Sequence, residues 1–194
     1  LPGIVTHGVV NLQRVDFDGK DIRRILTDKY HIPFVICNNA NAIALGIYSS
    51  QDKHHSIIYH SQMAGSINSG EGIVCYGKLI TGLRGFAGEQ WYLAPHIYQD
   101  QEALENIWTE EGATEVVAKT LLAPICTVAP KAIYIRCRLT PRMDKIRNIL
   151  SNFIPEHYIP ELIRVDSIRE YMLLGELMIC INELDERDRL GVVV

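Results

Sequence analysis

The stretch PFVICNNANAIALG, residues 33–46, decides how the chain is read. Pro33–Cys37 is a short run of β-favouring side chains opened by a proline, and reads as a buried strand. From about Asn39 the pattern turns helical. The adjacent Asn38 and Asn39 therefore sit at the junction, at the C-terminal end of a strand, where many α/β proteins carry their chemistry. What matters is whether such a junction holds a catalytic charge or only its shape.

Outward from this point, strand-length apolar runs alternate with helical patterns. Towards the N-terminus, Val9–Leu12 predicts a strand and Asp18-Gly19 a turn. Ile22, Ile25, Leu26 and Tyr30 share one helical face. Towards the C-terminus, Ser56–His60 predicts a strand. Ile73–Cys75 and Lys78–Ile80 flank Tyr76-Gly77 as a hairpin. Leu83–Pro95, rich in glycine and aromatics, reads as an ordered loop. Val116, Val117, Leu121, Leu122, Ile125 and Val128 form a helical face that ends before Pro130. Ala132–Ile135 is a strand, Met143–Leu150 a helix, Leu162–Val165 a strand, and Tyr171–Ile181 the last long helix. The charged run Glu183–Arg189 reads as a solvated end. The alternation argues for an α/β fold with an antiparallel hairpin in its middle.

The bulk composition narrows the classes. The 194 residues suffice for one domain or two small lobes. A net charge of −4 gives no charge-driven grip on nucleic acid. No apolar run approaches the ~20 residues of a membrane span, and no signal peptide is read. Cys37, Cys75, Cys126, Cys137 and Cys180 are scattered without CxxC spacing, which fits reduced thiols in a cytoplasmic protein. They give no zinc signature.

Several stretches then fall in a specific order: LPGIVTHGVV (1–10), CNNANAIALG (37–46), SGEGIVCYGKLITG (69–82) and RGFAGEQW (84–91), with APKAIYI (129–135) and LLGEL (173–177) later. In this order they resemble, over nearly the whole chain, the ROK family of bacterial sugar kinases and sugar-responsive transcriptional repressors. The resemblance implies an actin-like ATPase (ribonuclease H-like) fold, here mainly the large lobe plus part of the N-terminal lobe. Residues 1–48 would be the remainder of the N-terminal lobe. Residues 49–194 would be the large C-terminal lobe, its last helix returning toward the first. The family's Asp/Gly-rich first phosphate motif precedes its LPG segment. No such DxGxT-type stretch is present, so the N-terminal lobe is expected to be incomplete.

The same resemblance assigns the junction. ROK kinases read Asn-Asp there, followed by Ala-Asn-Ala; the Asn binds a sugar hydroxyl and the Asp is the general base. Asn38 matches the first, and Asn39 stands where the Asp should be. An amide has nearly the shape of a carboxylate but takes no proton at neutral pH, and losing a general base costs about 10²–10⁴ in rate. Asn39 is also well suited to cap a helix N-terminus, and the two roles are compatible.

The family's glycine-rich second phosphate loop falls at Ser66–Gly72, where most glycines are replaced and Glu71 adds an unfavourable charge. The residues alone read as an ordinary hairpin loop. The family's sugar loop is Glu-x-Gly-His. Glu89 matches, Trp91 replaces the Gly and Tyr92 the His, and the zinc loop is absent. His96 lacks thiolate companions, so no metal site is expected. Trp91 and Tyr92 could stack on a sugar ring or form a core or interface pair. Arg136-Cys137-Arg138 replaces a Gly-Gly nucleotide turn, and could hold an anion or lie at the surface. His54, His55 and His60 read as loop and strand-end residues without acid or thiol partners at ligand spacing.

With the base, both phosphate motifs and the Gly-Gly turn all altered, the expected function is a non-catalytic effector-binding and oligomerisation region of a sugar-responsive transcriptional regulator. No catalytic residue and no cofactor are expected. Asn38, Asn39, Glu89 and Tyr92 are the candidate sugar contacts. A sugar or sugar phosphate and a second copy of the chain are the expected partners. DNA is contacted only through a segment absent from this chain, and no membrane is involved. The alternative is a ROK-type kinase phosphorylating a hexose or an N-acetylated amino sugar. A third reading is a structural domain that acts through an interface alone.

Overall fold

A computed structural model describes residues 1–11, 16–51, 55–97, 105–139 and 142–189 of the chain. Strands β1 (Ile4–Thr6), β2 (Val9–Asn11) and β3 (Lys20–Asp21) form a small antiparallel sheet in sequence order. Helix α1 (Ile22–Tyr30) follows it. Ile22 is buried, but Ile25 and Tyr30 are exposed, because α1 contacts little beyond β2. Leu12, expected at the end of β2, lies outside the described residues, as does His54.

The larger sheet has the order β6-β5-β4-β7-β8, from β4 (Ile57–Gln62), β5 (Ser69–Cys75), β6 (Lys78–Leu79), β7 (Ala132–Cys137) and β8 (Glu161–Arg164). β4, β7 and β8 run parallel, while β5 and β6 add antiparallel strands on one side. The β5–β6 turn needs positive φ at both central residues, which Tyr76 (φ 48) and Gly77 (φ 84) adopt. Successive residues of β4 and β7 serve two cores. Ile58, Ile133 and Ile135 pack against α4 (Glu110–Val128) and α5 (Met143–Leu150). Ile57, Tyr59, Ala132 and Tyr134 pack against α2 (Asn39–Ser49). A four-residue helix, α3 (Ala94–Ile97), precedes α4.

The charged run Glu183–Arg189 forms the last turns of α6 (Arg169–Arg189). Two local expectations are corrected. Pro33–Cys37 has no regular structure and joins neither sheet; its β-favouring side chains do not make a strand without a neighbouring ladder. The Ser66–Gly72 stretch is only half loop, since Ser69–Gly72 already belong to β5.

Helix α6 lies on α2 through the most extensive helix–helix contact of the fold. Gly46 and Gly175 let the two backbones touch. A Cβ on Gly46 would strike the Tyr171 carbonyl, and one on Gly175 would strike that of Ala42. Beyond this contact α6 exposes Leu173, Leu177, Ile181 and Leu184. Gly175→Ala is expected to force the helices apart and cost about 3 kcal/mol, the upper end for an overpacked core. Urea denaturation checks it as a lower midpoint at unchanged m.

Candidate functional site

The junction singled out in the sequence is built by Asn38. Its backbone is extended (φ −70, ψ 138), and its Oδ1 accepts from the amides of Ala40 (2.7 Å) and Asn41 (3.2 Å). Its Nδ2 donates to the Gly3 carbonyl at 2.8 Å. The helix cap is therefore Asn38 and not Asn39, because only the residue before the first helical turn can fold its side chain back onto the free amides. Asn39 opens α2, is exposed, and its amide makes no side-chain hydrogen bond among the described residues. Leu1 completes the junction: its carbonyl accepts from the Asn39 backbone amide at 3.0 Å.

A cleft of about 260 Å³ opens beside this junction. Asn38, Asn41, His7, Arg23 and Glu183 supply its polar lining, and Cys37 is also on its wall. Burial pushes the Cys37 thiol up, so it stays a thiol and is a poor nucleophile. Asn41 has no role assigned by sequence alone. Its Oδ1 is buried without a partner, and the signal was an asparagine between alanines inside a helix, where it is a weak helix former.

Asn39, Glu89 and Tyr92 do not line this cleft. Glu89 and Tyr92 lie on the loop between β6 and α3. The Glu89 Oε2 accepts from the Trp91 indole N–H at 3.0 Å. Burial raises the Glu89 pKa, partly offset by that bond. Tyr92, 40 % exposed, stacks on Trp91 (ring centroids 3.8 Å apart) and on Phe86 (5.0 Å). Consecutive residues of β5 tie loop and junction together. Gly72 has no room for a Cβ against the Ala40 carbonyl of α2, and Gly88 of the loop has none against the Glu71 carbonyl.

Two further expectations change. His60 is no strand-end residue: it is mid-strand, fully buried, and its Nδ1 lies 3.1 Å from the Glu71 Oε1. The pair stands in register across the β4–β5 ladder, a partnership invisible to linear spacing. Arg136 and Cys137 form no turn but finish β7; Arg136 is half-buried beside Tyr59, whereas Arg138 is exposed. Among the described residues no group of three or more His, Cys, Asp or Glu assembles a metal site, and no helix is long and apolar enough to cross a membrane.

The ROK family model matches residues 1–134, and the chain belongs to the ROK family. A xylose repressor of Caldicellulosiruptor bescii is 32 % identical over 130 residues, 61 % of this chain and 32 % of the repressor. One of Bacillus subtilis is 33 % identical over 97 residues, 48 % of this chain and 24 % of that protein. The chain thus spans about a third or less of these relatives' length. Among solved structures, the ROK hexokinase from Thermus thermophilus superposes with a TM-score of 0.67 at 19 % identity, covering 95 % of this chain and 78 % of that one. A ROK transcriptional regulator homologous to the E. coli MLC protein gives 0.65 at 14 %, covering 92 % and 60 %. The fold is the actin-like ATPase fold of these proteins.

Asn38→Ala removes a cap and the tie to Gly3, with an expected cost of about 1–2 kcal/mol; Asn39→Ala should stay within about 0.5 kcal/mol, as for other surface changes. Chemical denaturation separates the two. Glu89→Gln tests the raised acid. Below the ordinary glutamate pKa of about 4.3 both folded and unfolded wild type are protonated. As pH rises through the raised folded value, the wild type must ionise a half-buried carboxyl and loses stability. The stability of Glu89→Gln relative to wild type should therefore climb as pH rises from the ordinary glutamate pKa through the raised folded value.

Proposed function

We propose that this chain is the effector-reading region of a ROK transcriptional regulator, binding an aldose without phosphorylating it. The observation that carries the reading is Asn39. It stands exposed at the start of α2, its amide uncommitted, where the resemblance puts a kinase's general base. Hydrogen bonding survives that exchange and proton abstraction does not. The buried carboxyl of Glu71 at the second phosphate position supports the same reading, as do relatives that are named xylose repressors.

Asn38, Asn39, Glu89 and Tyr92 are the proposed sugar contacts. Asn38 keeps one Nδ2 hydrogen beyond its bond to Gly3, and the half-exposed Tyr92 ring offers an apolar face to sugar C–H groups. In this reading residues 1–48 and 49–194 act as parts of two lobes, and the region pairs with a second copy. DNA contact belongs to a part of the regulator outside these 194 residues.

D-xylose is the first ligand to try, beside other pentoses, hexoses and their phosphates. At ~100 times its Kd a ligand adds about 2.7 kcal/mol, a Tm rise of roughly 5–10 °C for a chain of this size. A rise with D-xylose or another aldose and none with Mg-ATP is expected. Sugar phosphorylation by the wild-type protein would overturn the proposal.

A further inference from the structure

The inner face of the β4–β5 pair changes character along its length. Ile58 pairs with Ile73 in the α4-side core, but the next two pairs on that face are His60 with Glu71 and Gln62 with Ser69. All four polar residues are buried. Glu71 is the centre of the group. Its Oε1 meets the His60 Nδ1 at 3.1 Å, and its Oε2 accepts from the Gln90 Nε2 at 3.0 Å. Its backbone amide donates to the Gly88 carbonyl at 2.8 Å, and its own carbonyl presses on the Gly88 Cα, where no side chain fits.

The donor directions follow from the carboxylate, which only accepts. His60 must present Nδ1–H to it, which leaves Nε2 over, and Gln90 must present its amine, which leaves Oε1 over. Both leftover atoms are buried without partners. A core pair that served only to hold two strands together would be better made of apolar side chains, as Ile58 and Ile73 are. Gln62 turns to the Ser66 and Asn68 carbonyls between β4 and β5, whereas Glu71 reaches out of the sheet to residues 88 and 90 of the loop that carries Glu89, Trp91 and Tyr92.

We infer that Glu71 is a positioning residue: with His60 and Gln90 as its struts, it fixes the 86–93 loop so that Glu89 and Tyr92 are held ready for the ligand. The inference deepens the sugar-reading proposal and rests on it for the ligand, but the fixed loop can be measured without any sugar.

The Trp91 indole N–H, bonded to Glu89, reports the loop. The chain has two tryptophans, and Trp108→Phe assigns the resonances. Gln90→Met keeps the length of the side chain and removes its donor. It should speed solvent exchange of the Trp91 indole by about tenfold, the loss expected for one bond to a charged group. Glu71→Met should do the same. Glu71→Gln should preserve protection, because the new amide's oxygen still accepts from His60 and its amine can meet Gln90 once the Gln90 amide turns over. If Glu71→Met does not fold, Gln90→Met alone decides. Trp91 exchange within twofold of wild type in folded Gln90→Met overturns the inference. Where D-xylose or another aldose binds, Gln90→Met should raise its Kd about tenfold and Glu71→Gln less than twofold. A wild type that responds to no sugar defeats the sugar reading, while the indole exchange still decides whether Glu71 positions the loop.

Discussion

The contact on which the architecture depends is the meeting of two backbones at Gly46 and Gly175. Side chains normally keep helix axes 8–10 Å apart. With a glycine on each helix at the crossing, α6 lies directly on α2, and α2 is trapped between α6 and the sheet. Gly72 repeats the device on the opposite side of α2, where β5 runs against the Ala40 carbonyl. The start of α2 is then fixed from three directions: by α6, by β5, and by the Asn38 cap that reaches Gly3. A helix N-terminus held this firmly is a rigid platform for Asn39, whose own side chain contributes nothing to holding it.

The other organising element is polar. Two buried polar atoms without partners, the His60 Nε2 and the Gln90 Oε1, each cost about 1–3 kcal/mol relative to a satisfied or apolar arrangement. A stable domain has only some 5–15 kcal/mol in hand, so such a group is a substantial fraction of the total. It also bears on the proposed loss of phosphate binding at this strand pair. A glycine-rich turn binds phosphate by bare backbone amides. Here the Glu71 amide is spent on Gly88, and a buried carboxyl occupies the same residue.

What the sequence showed and hid follows from the range of the interactions. The Tyr76-Gly77 hairpin, α4 ending before Pro130, and the strand at Ala132 rest on neighbours within a few residues, and all formed where periodicity and turn chemistry put them. Pro33–Cys37 has the composition of a strand, but a strand is a relation between two chains of residues, and composition carries only one of them. Asn38 and Asn39 are equally good caps by type; the bond to Gly3, 35 residues away, is what distinguishes them. His60 and Glu71 are 11 residues apart with an unpredictable ladder register between them, so neither looked like the other's partner. The cleft is hidden for the same reason, since it gathers His7 from the β1–β2 turn and Arg23, Asn41 and Glu183 from three separate helices.

The proposed exchange of a kinase's Asp for Asn39 has a larger functional reach than its size suggests, because the two halves of sugar kinase chemistry need different things from one position. Recognition needs a polar atom at a fixed point, and the capped, glycine-packed start of α2 supplies that for either side chain. Turnover needs a group that takes the hydroxyl proton as the bond to phosphorus forms, and an amide has no such state near neutral pH. A site altered in this way can hold a sugar for as long as affinity allows, with no reaction to end the complex. In the proposed reading the output is occupancy, for which that is the useful property, and the inferred hold of the His60–Glu71–Gln90 group on the 86–93 loop adds to it by lowering the ordering cost of binding.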